Sequence, residues 1–320
     1  MAKRKNKSPR NQIPEEFFER LQLIAPNPTE FQTIKSTFVE RPTTFRINTI
    51  KADPQTTANS LKKQNFKIQK APWSDIAFQL QNKSKKELME TTEYEQGHIY
   101  IQSFASQIPP IVLDPKPDQK VLDLTAAPGS KTSQLAALTS QEADLTAVEL
   151  NKPRFFKLKH NMDHLGVNAE VHLQDGVLFA KDHPEEFDSI LLDAPCSAEA
   201  RFIESQPKTF AYWSRRKVKE MQSKQRRLLY AAWSALKPGG ILVYSTCTLA
   251  PDENEVQISK MLERFEDCEL ITINLPGTDK LTPVTSWNDH QLNLEVKNTL
   301  RLKPTSSTEG FFIAKMRKKA

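Results

Sequence analysis

Two cysteines hold the sharpest chemistry in this sequence. Cys196 lies in LLDAPCSAEARF (residues 191–202) and Cys247 in VYSTCTLAPDENE (243–255), each just beyond an apolar run that reads as a buried strand. A thiolate is far more nucleophilic at neutral pH than a serine hydroxyl. A single buried cysteine usually does no more than pack. Two at the mouths of neighbouring strands, one close behind Asp193, point instead to a shared reactive pocket. The third, Cys268 in CELITI, is expected to be a packing residue. Three cysteines form no disulfide framework and show no C-x-x-C spacing, so neither a stapled fold nor a metal site is expected.

Such a pair beside a carboxylate suits substitution at carbon 5 of cytosine. That carbon is a poor nucleophile until a thiolate adds at carbon 6 and turns the ring into an enamine. Carbon 5 then attacks an electrophilic methyl group and loses its proton, and the thiolate leaves as aromaticity returns. One cysteine would be the nucleophile, the other would assist breakdown of the adduct, and Asp193 would hold N3 and the exocyclic amine. The residues alone do not choose between Cys196 and Cys247.

A methyl source is suggested by the ends of the preceding strands. TAAPGSK (Thr125, Ala126, Ala127, Pro128, Gly129, Ser130, Lys131) joins an apolar strand to a helix. With one glycine it matches neither the dinucleotide fingerprint nor the P-loop. Its turn over a helix N-terminus still offers backbone N–H groups to a ligand carboxylate. Glu149 ends the next strand, where an acid can accept from both hydroxyls of a ribose. Asp175 ends the third, where a carboxylate can hold an adenine amino group. An adenosine cofactor without a phosphate cradle points to S-adenosylmethionine.

The elements that must position these residues follow from the hydrophobic pattern. From residue 120 onward, apolar runs of strand length (VLDLTA, DLTAVEL, AEVHLQD, FDSILLD, ILVYST) alternate with helical stretches. That is the pattern of a parallel sheet covered on both faces, which binds ligands beyond the carboxyl ends of its strands. RLKP and GFFIAKM are expected to form an antiparallel pair at its edge. Upstream, IPEEFFERLQLI reads as an amphipathic helix, TTFRINTI alternates like a strand, and QGHIYIQSFASQIPP ends on two prolines that close the unit. The fold class is therefore α/β, with a smaller α+β domain over residues 1–110 and the sheet domain over 111–320.

Charge bears on the partner. The chain of 320 residues carries a formal charge of +6. MAKRKNKSPR has five cations and no acid, and the stretch 207–227 has eight against Glu220 alone. A polyanion such as RNA is a natural partner for such clusters, with Arg215, Arg216, Lys217, Lys219, Arg226 and Arg227 on one helix as candidate phosphate contacts. Arg46 and Asn48 in FRIN are candidates for structural or RNA contacts, and Tyr212 and Trp213 for stacking on a base or for packing. No apolar stretch reaches the length of a membrane span, and the basic N-terminus leads into NQIPEEFF rather than an apolar signal core. A cytoplasmic monomer without membrane or metal partners is expected.

The sequence resembles the RNA cytosine-5 methyltransferases of the RsmB/RsmF and NSUN type. FRIN, HIYIQSFAS, VLDLTAAPGSKT, DAPCS, YSTCTLAPDENE and GFFIAK carry the resemblance in order, from about residue 40 to the end. It implies a Rossmann-like S-adenosylmethionine-dependent methyltransferase sheet with an N-terminal unit that helps hold RNA. It also implies that residues 125–131, Glu149, Asp175 and Asp193 bind the cofactor. By the same resemblance Cys247 is the covalent nucleophile, Cys196 helps release the product, and Lys131 helps position cofactor or base. In the related DNA enzymes the nucleophile lies in a PC dipeptide, so the assignment to Cys247 rests on the RNA family. The family usually has glycines after PCS, where this chain has Ala198 and Ala200; the two readings left open are that their methyl groups narrow the base pocket or shift its turn, and that alanine fits in ordinary backbone conformations. Neither the long helical N-terminal extension of RsmB nor the large C-terminal addition of RsmF is expected. The expected activity is methylation of cytidine C5 in RNA, favouring rRNA, with tRNA or a non-catalytic role in RNA binding or ribosome assembly as alternatives.

Overall fold

The computed structural model of the chain describes residues 11–320, so the basic stretch MAKRKNKSPR lies outside the described residues. The N-terminal part contains α1 (Glu15–Ile24), α2 (Pro28–Lys35), β1 (Thr44–Ile47), α3 (Pro54–Lys63), β2 (Ile68–Lys70), β3 (Ala77–Leu80), α4 (Lys85–Met89), α5 (Thr92–Glu95) and β4 (Ile99–Ile101). Its strands form an antiparallel sheet in the order β2-β3-β1-β4. Phe45 and Ile47 of β1 share a core with Leu61, Phe66, Phe78 and Leu88. The first two helices belong elsewhere. Phe17, Leu21 and Phe38 pack against Phe202, Phe210 and Trp213, clamping the segment that follows Cys196.

The larger sheet is built from β5 (Lys120–Asp123), β6 (Asp144–Glu149), β7 (Glu170–Leu173), β8 (Phe187–Asp193), β9 (Leu236–Thr246) and the later strands β10 (Cys268–Ile271), β11 (Lys280–Leu281), β14 (Leu300–Leu302) and β15 (Phe311–Lys318). A separate hairpin pairs β12 (Ser286–Trp287) with β13 (His290–Gln291). The order is β11-β14-β15-β9-β8-β5-β6-β7, with β10 also on β15. Strands β5 to β9 run parallel and the rest antiparallel. The expected antiparallel pair is therefore present as β14 and β15, though β11 lies outside it. The chain leaves β5 for β6 on one side and returns to β8 on the other. That reversal opens a crevice beyond Asp123 and Asp193, where such sheets take ligands.

Side chains on the sheet alternate between two cores, the period-two rule of a strand. Ile190, Leu192, Leu242, Tyr244, Phe312 and Ala314 face one layer, built on α9 (Gly176–Asp182), α10 (Arg215–Ala235) and α11 (Glu255–Arg264). Val121, Leu191, Val243, Phe311 and Ile313 face the other, built on α6 (Phe104–Leu113) and α7 (Ser130–Leu138). The helix α8 (Lys152–Leu165) brings Leu158 and Met162 onto Ala126, Ala127 and Ala147.

Two local expectations are corrected, and one left open is resolved. Pro109 and Pro110 do not end a segment but lie inside α6. A proline cannot donate to the carbonyl four residues back, and the Ser106 carbonyl that Pro110 leaves unserved accepts from Gln102 Nε2 at 3.0 Å. The strand read as ILVYST (241–246) starts earlier, at Leu236, so that Pro238, Gly239 and Gly240 lie within β9: Phe187 pairs with Leu236 and Ser189 with Ile241, the extra residues bulging out at Gly239, whose φ is +83°. Finally, β1 alternates in polarity yet is buried on both faces. Its polar face meets the sheet domain rather than water. Arg46 donates to Gln102 Oε1 at 3.0 Å and to Ser133 Oγ of α7 at 2.6 Å, and burial lowers its guanidinium pKa to about 10. Asn48 donates to the carbonyls of Gly97 and Leu165, both at 2.9 Å. These two residues stitch the N-terminal sheet to the larger one and are not available to RNA.

Candidate active site

The loop after β5 is shaped by Gly129, whose φ of +98° is costly for any residue with a Cβ. A Cβ there would stand 2.5 Å from Met162 Cε. Gly129 thus serves the turn and its packing on α8, and it lines neither of the cavities described below. The turn delivers Lys131, in the first turn of α7, to the crevice. Lys131 is buried, and its Nζ donates to Ser106 Oγ at 2.9 Å and to Asp193 Oδ2 at 2.6 Å. The other Asp193 oxygen accepts from Ser245 Oγ at 2.8 Å. The carboxylate is thereby fixed between β8 and β9. Nearby Asp123 is also buried, and desolvation raises its pKa to about 6 even though Thr132 donates to it at 2.7 Å.

A cavity of about 490 Å³ runs along the strand ends and is lined by Thr125, Ala127, Glu149, Asp175, Asp193, Cys196 and Cys247. The residues singled out on five strands are therefore brought to one space. Glu149 Oε1 accepts from the Asn151 N–H at 2.8 Å, and Oε2 lies 3.3 Å from Arg154. Asp175 caps α9, accepting from Val177 N–H at 2.8 Å. Volume and lining suit a nucleoside-sized ligand, and carboxylates at Glu149 and Asp175 match the hydroxyls and amine of an adenosine and the positive charge of a sulfonium.

A second cavity, about 620 Å³, opens between the two sheets and includes Ala126, Pro128, Ser130, Lys131, Tyr100, Arg41 and Glu309. Thr125, Ala127, Arg154, Asp193 and Arg201 line both spaces, so they are contiguous.

The thiols meet at the shared end, with Cys196 Sγ 3.2 Å from Cys247 Sγ and both free. Their environments differ. The hydrogen bond from Cys196 lowers the Cys247 pKa, burial opposes this, and the Arg201 guanidinium assists. The same hydrogen bond raises the Cys196 pKa, joined by burial and by the charge of Cys247. One proton is shared, and it belongs on Cys196. The two shifts run in opposite directions, and of the pair Cys247 is the more acidic thiol. Reciprocally, the charge of Cys247 raises the Arg201 pKa. Cys268 lies away in the sheet core, where burial raises its pKa to about 12, as a packing residue should behave.

Arg201, Glu309, Ser245 and Ser106 were not singled out from the sequence. Arg201 stands in SAEARF directly behind the PCS motif, and a cation so close to a candidate thiolate was the available signal. Trp213, a candidate for base stacking, is buried in the aromatic cluster and donates Nε1 to Glu199 Oε1 at 2.8 Å, whereas Tyr212 is 89% exposed. On α10, Arg215, Arg216, Lys219 and Arg227 are exposed, and Lys224 and Arg227 reach the first cavity. Among the described residues, no group of three or more His, Cys, Asp or Glu side chains is arranged to hold a metal ion, and no helix is long and apolar enough to cross a membrane.

Residues 110–317 match the family model described as 16S rRNA methyltransferase RsmB/F, and residues 13–103 match the N-terminal domain of 16S rRNA methyltransferase RsmF. The chain is 38% identical over 276 residues to a tRNA (cytosine(49)-C(5))-methyltransferase of Pyrococcus abyssi, covering 86% of this chain and 87% of that one. It is 34% identical over 313 residues to the ribosomal RNA small subunit methyltransferase F of Vibrio parahaemolyticus, covering 96% of this chain but 63% of the relative's length. In structure it resembles a methyltransferase homologue from Pyrococcus horikoshii with a TM-score of 0.83, 34% identity and 95% coverage of both chains.

Proposed function

The chain belongs to the 16S rRNA methyltransferase RsmB/F family, and on that premise we propose that it methylates carbon 5 of a cytidine in RNA, using S-adenosylmethionine, through a covalent adduct at Cys247. The observation that carries this reading is the pair of thiols 3.2 Å apart, in a cavity whose other end holds Glu149 and Asp175. Those two carboxylates, with Thr125 and Ala127, would hold the cofactor, which supplies an electrophilic methyl group.

The protein's own groups account for the remaining work. Cys247 adds as thiolate to carbon 6 of the base, forming an S–C bond and placing electron density on N3 and carbon 5. Asp193, itself bonded to the Lys131 ammonium, is the group placed to hold N3 as it gains a proton. Adduct formation consumes the Cys247 charge and its hydrogen bond, two of the causes that keep the proton on Cys196. Once carbon 5 has bonded to the transferred methyl group, Cys196, having passed its proton to solvent, takes the one leaving carbon 5; the S–C bond then breaks, Cys247 returns as thiolate, and N3 gives back the proton it had taken up. The base must leave its stack to arrive here. The second cavity, with Arg41 and Arg201 on its walls, gives the flanking nucleotides and their phosphates a path. We assign RNA holding to the N-terminal unit (residues 1–110) together with the exposed cations of α10, and place the reaction in the cytoplasm, where thiols stay reduced.

The substrate we favour is rRNA, because both matching family models describe 16S rRNA enzymes. The second reading is tRNA, carried by the identity and matched length of the Pyrococcus abyssi relative. Labelled methyl transfer to 16S rRNA, to small-subunit particles and to tRNA, followed by nucleoside analysis, decides between them. Absence of 5-methylcytidine in all three, together with no thermal stabilisation by S-adenosylmethionine, would favour a non-catalytic RNA-binding role. Cys247→Ala abolishes product, whereas Cys196→Ala accumulates an RNA–protein adduct on a denaturing gel. An adduct that forms with Cys247→Ala instead reverses the roles.

A further inference from the structure

Beneath the two cysteine loops lies a chain of oxygens, half-buried at Ser197 and buried at Thr248, Glu199 and Glu253, with a proton count that does not close among its own groups. Ser197, which follows Cys196, contacts a Glu253 oxygen through its hydroxyl and lies 2.8 Å from Thr248 Oγ1. Thr248, which follows Cys247, lies 3.0 Å from Glu199 Oε2. Three oxygen–oxygen contacts in series need three protons, and the two hydroxyls supply two. With both carboxyls ionised, each hydroxyl donates outward to its own glutamate, and the Ser197 and Thr248 oxygens face each other with lone pairs alone.

We propose that Glu253 carries the missing proton in the working enzyme and acts as a positioning residue, holding the loops of Cys196 and Cys247 in contact through Ser197 and Thr248. This rests on the methyltransferase reading above. The neutral acid donates to Ser197, Ser197 to Thr248, and Thr248 to Glu199, so every contact is served. The remaining Glu253 oxygen accepts from Ser197 N–H at 2.9 Å and Gln225 Nε2 at 2.7 Å.

The proton belongs on Glu253 rather than Glu199 because of what faces each. Burial raises the Glu199 pKa too, but there it is opposed by the Trp213 Nε1–H donated to it, by the Arg20 cation and by Thr248. Glu253 faces Glu199 and Cys196 across the loops, the Tyr244 hydroxyl bonded to its carbonyl from β9, and the neutral Gln225 from α10. On the α11 side, Glu255 is already paired with Arg301, and Asp252 with Arg20. Burial and the Glu199 charge accordingly raise the Glu253 pKa to about 8.

The test is Glu253→Gln, which keeps the shape of the neutral acid: an amide N–H toward Ser197 and a carbonyl toward Ser197 N–H and Gln225. Thermal stability of the protein alone tests the network without RNA or cofactor. A carboxyl that binds its proton more tightly when folded loses stability as pH rises from its unfolded value, about 4.5, to its folded value, about 8, and none beyond. The variant should therefore gain on wild type steadily through that window and hold a constant lead above it. A lead independent of pH, or the same trend in Glu199→Gln instead, overturns the assignment. In methyl transfer, wild type should fall about tenfold for each unit above about pH 8 as the neutral form is depleted, while Glu253→Gln stays level. A variant that folds but is inactive at neutral pH would show that the ionised form is required and sink the proposal. Absence of methyl transfer by wild type itself would instead count against the proposed reaction, leaving the stability comparison intact. Should Glu253→Gln not fold, the neutral-acid carbonyl stretch in the infrared spectrum of wild type, lost between about pH 7 and about pH 9, decides the same point, and its absence at neutral pH overturns the proposal.

Discussion

Ala198 shows how one backbone angle separates what a motif suggests from what it requires. Two residues beyond Cys196, its φ is +57°, in the left-handed region, so of the two readings left open for this position an ordinary conformation does not hold. Ala200, buried in a 3₁₀ turn, donates its N–H to the Cys247 carbonyl at 3.2 Å and shows no positive φ. A non-glycine residue in the left-handed region costs about 1–2 kcal/mol, and glycine gives back about 0.4–1 kcal/mol through the unfolded chain. Ala198→Gly should therefore stabilise the fold by about 0.5–1 kcal/mol, read as a higher urea midpoint at unchanged slope; a lower midpoint contradicts the strain. At this scale the sequence was most informative where residue type dictates chemistry. Cys196, Cys247, Asp193 and Lys131 were legible from their motifs and do converge. Their partners Arg201 and Ser245, and the chain from Glu253 to Glu199, were not, because such pairs form between segments some fifty residues apart.

Single elements were legible wherever one face was apolar. The helices α1 and α10 and the parallel strands follow from periodicity, because burial on a sheet or helix face imposes it. Misreadings cluster where an element is buried on both sides. In β1 the polar Arg46 beside Phe45 reads the same whether it faces water or another layer, and only assembly shows that it meets α7. The prolines of α6 read as a stop, since the side-chain bond from Gln102 that replaces a lost backbone bond is invisible locally. The element-scale prediction concerns β1. Arg46→Ala should cost about 3 kcal/mol, as a fully buried cation with two side-chain hydrogen bonds is removed and its acceptors are stranded. Chemical denaturation checks this. A loss confined to RNA affinity, with stability unchanged, would return Arg46 to the RNA interface.

Across the whole molecule, the parallel sheet with its reversal between β5 and β8 was legible in outline, since alternating strands and helices admit few arrangements. The place of α1 and α2 was not. Their apolar faces identify them as helices but not their target, which is the segment 199–213 beside the thiols rather than the neighbouring small sheet. Residues 13–41 thus brace the loop that follows Cys196 as well as border the second cavity. Arg46 and Asn48 extend that dependence, since Asn48 ties β1 to the end of α8 and Arg46 ties it to α7. Removing the first hundred residues would strand these acceptors and strip the cover from Phe202 and Phe210. The two regions should consequently melt together. Differential scanning calorimetry is expected to give a single peak whose calorimetric and van't Hoff enthalpies agree, and a trace resolved into two peaks would mean that the seam between them is weaker than its buried bonds imply.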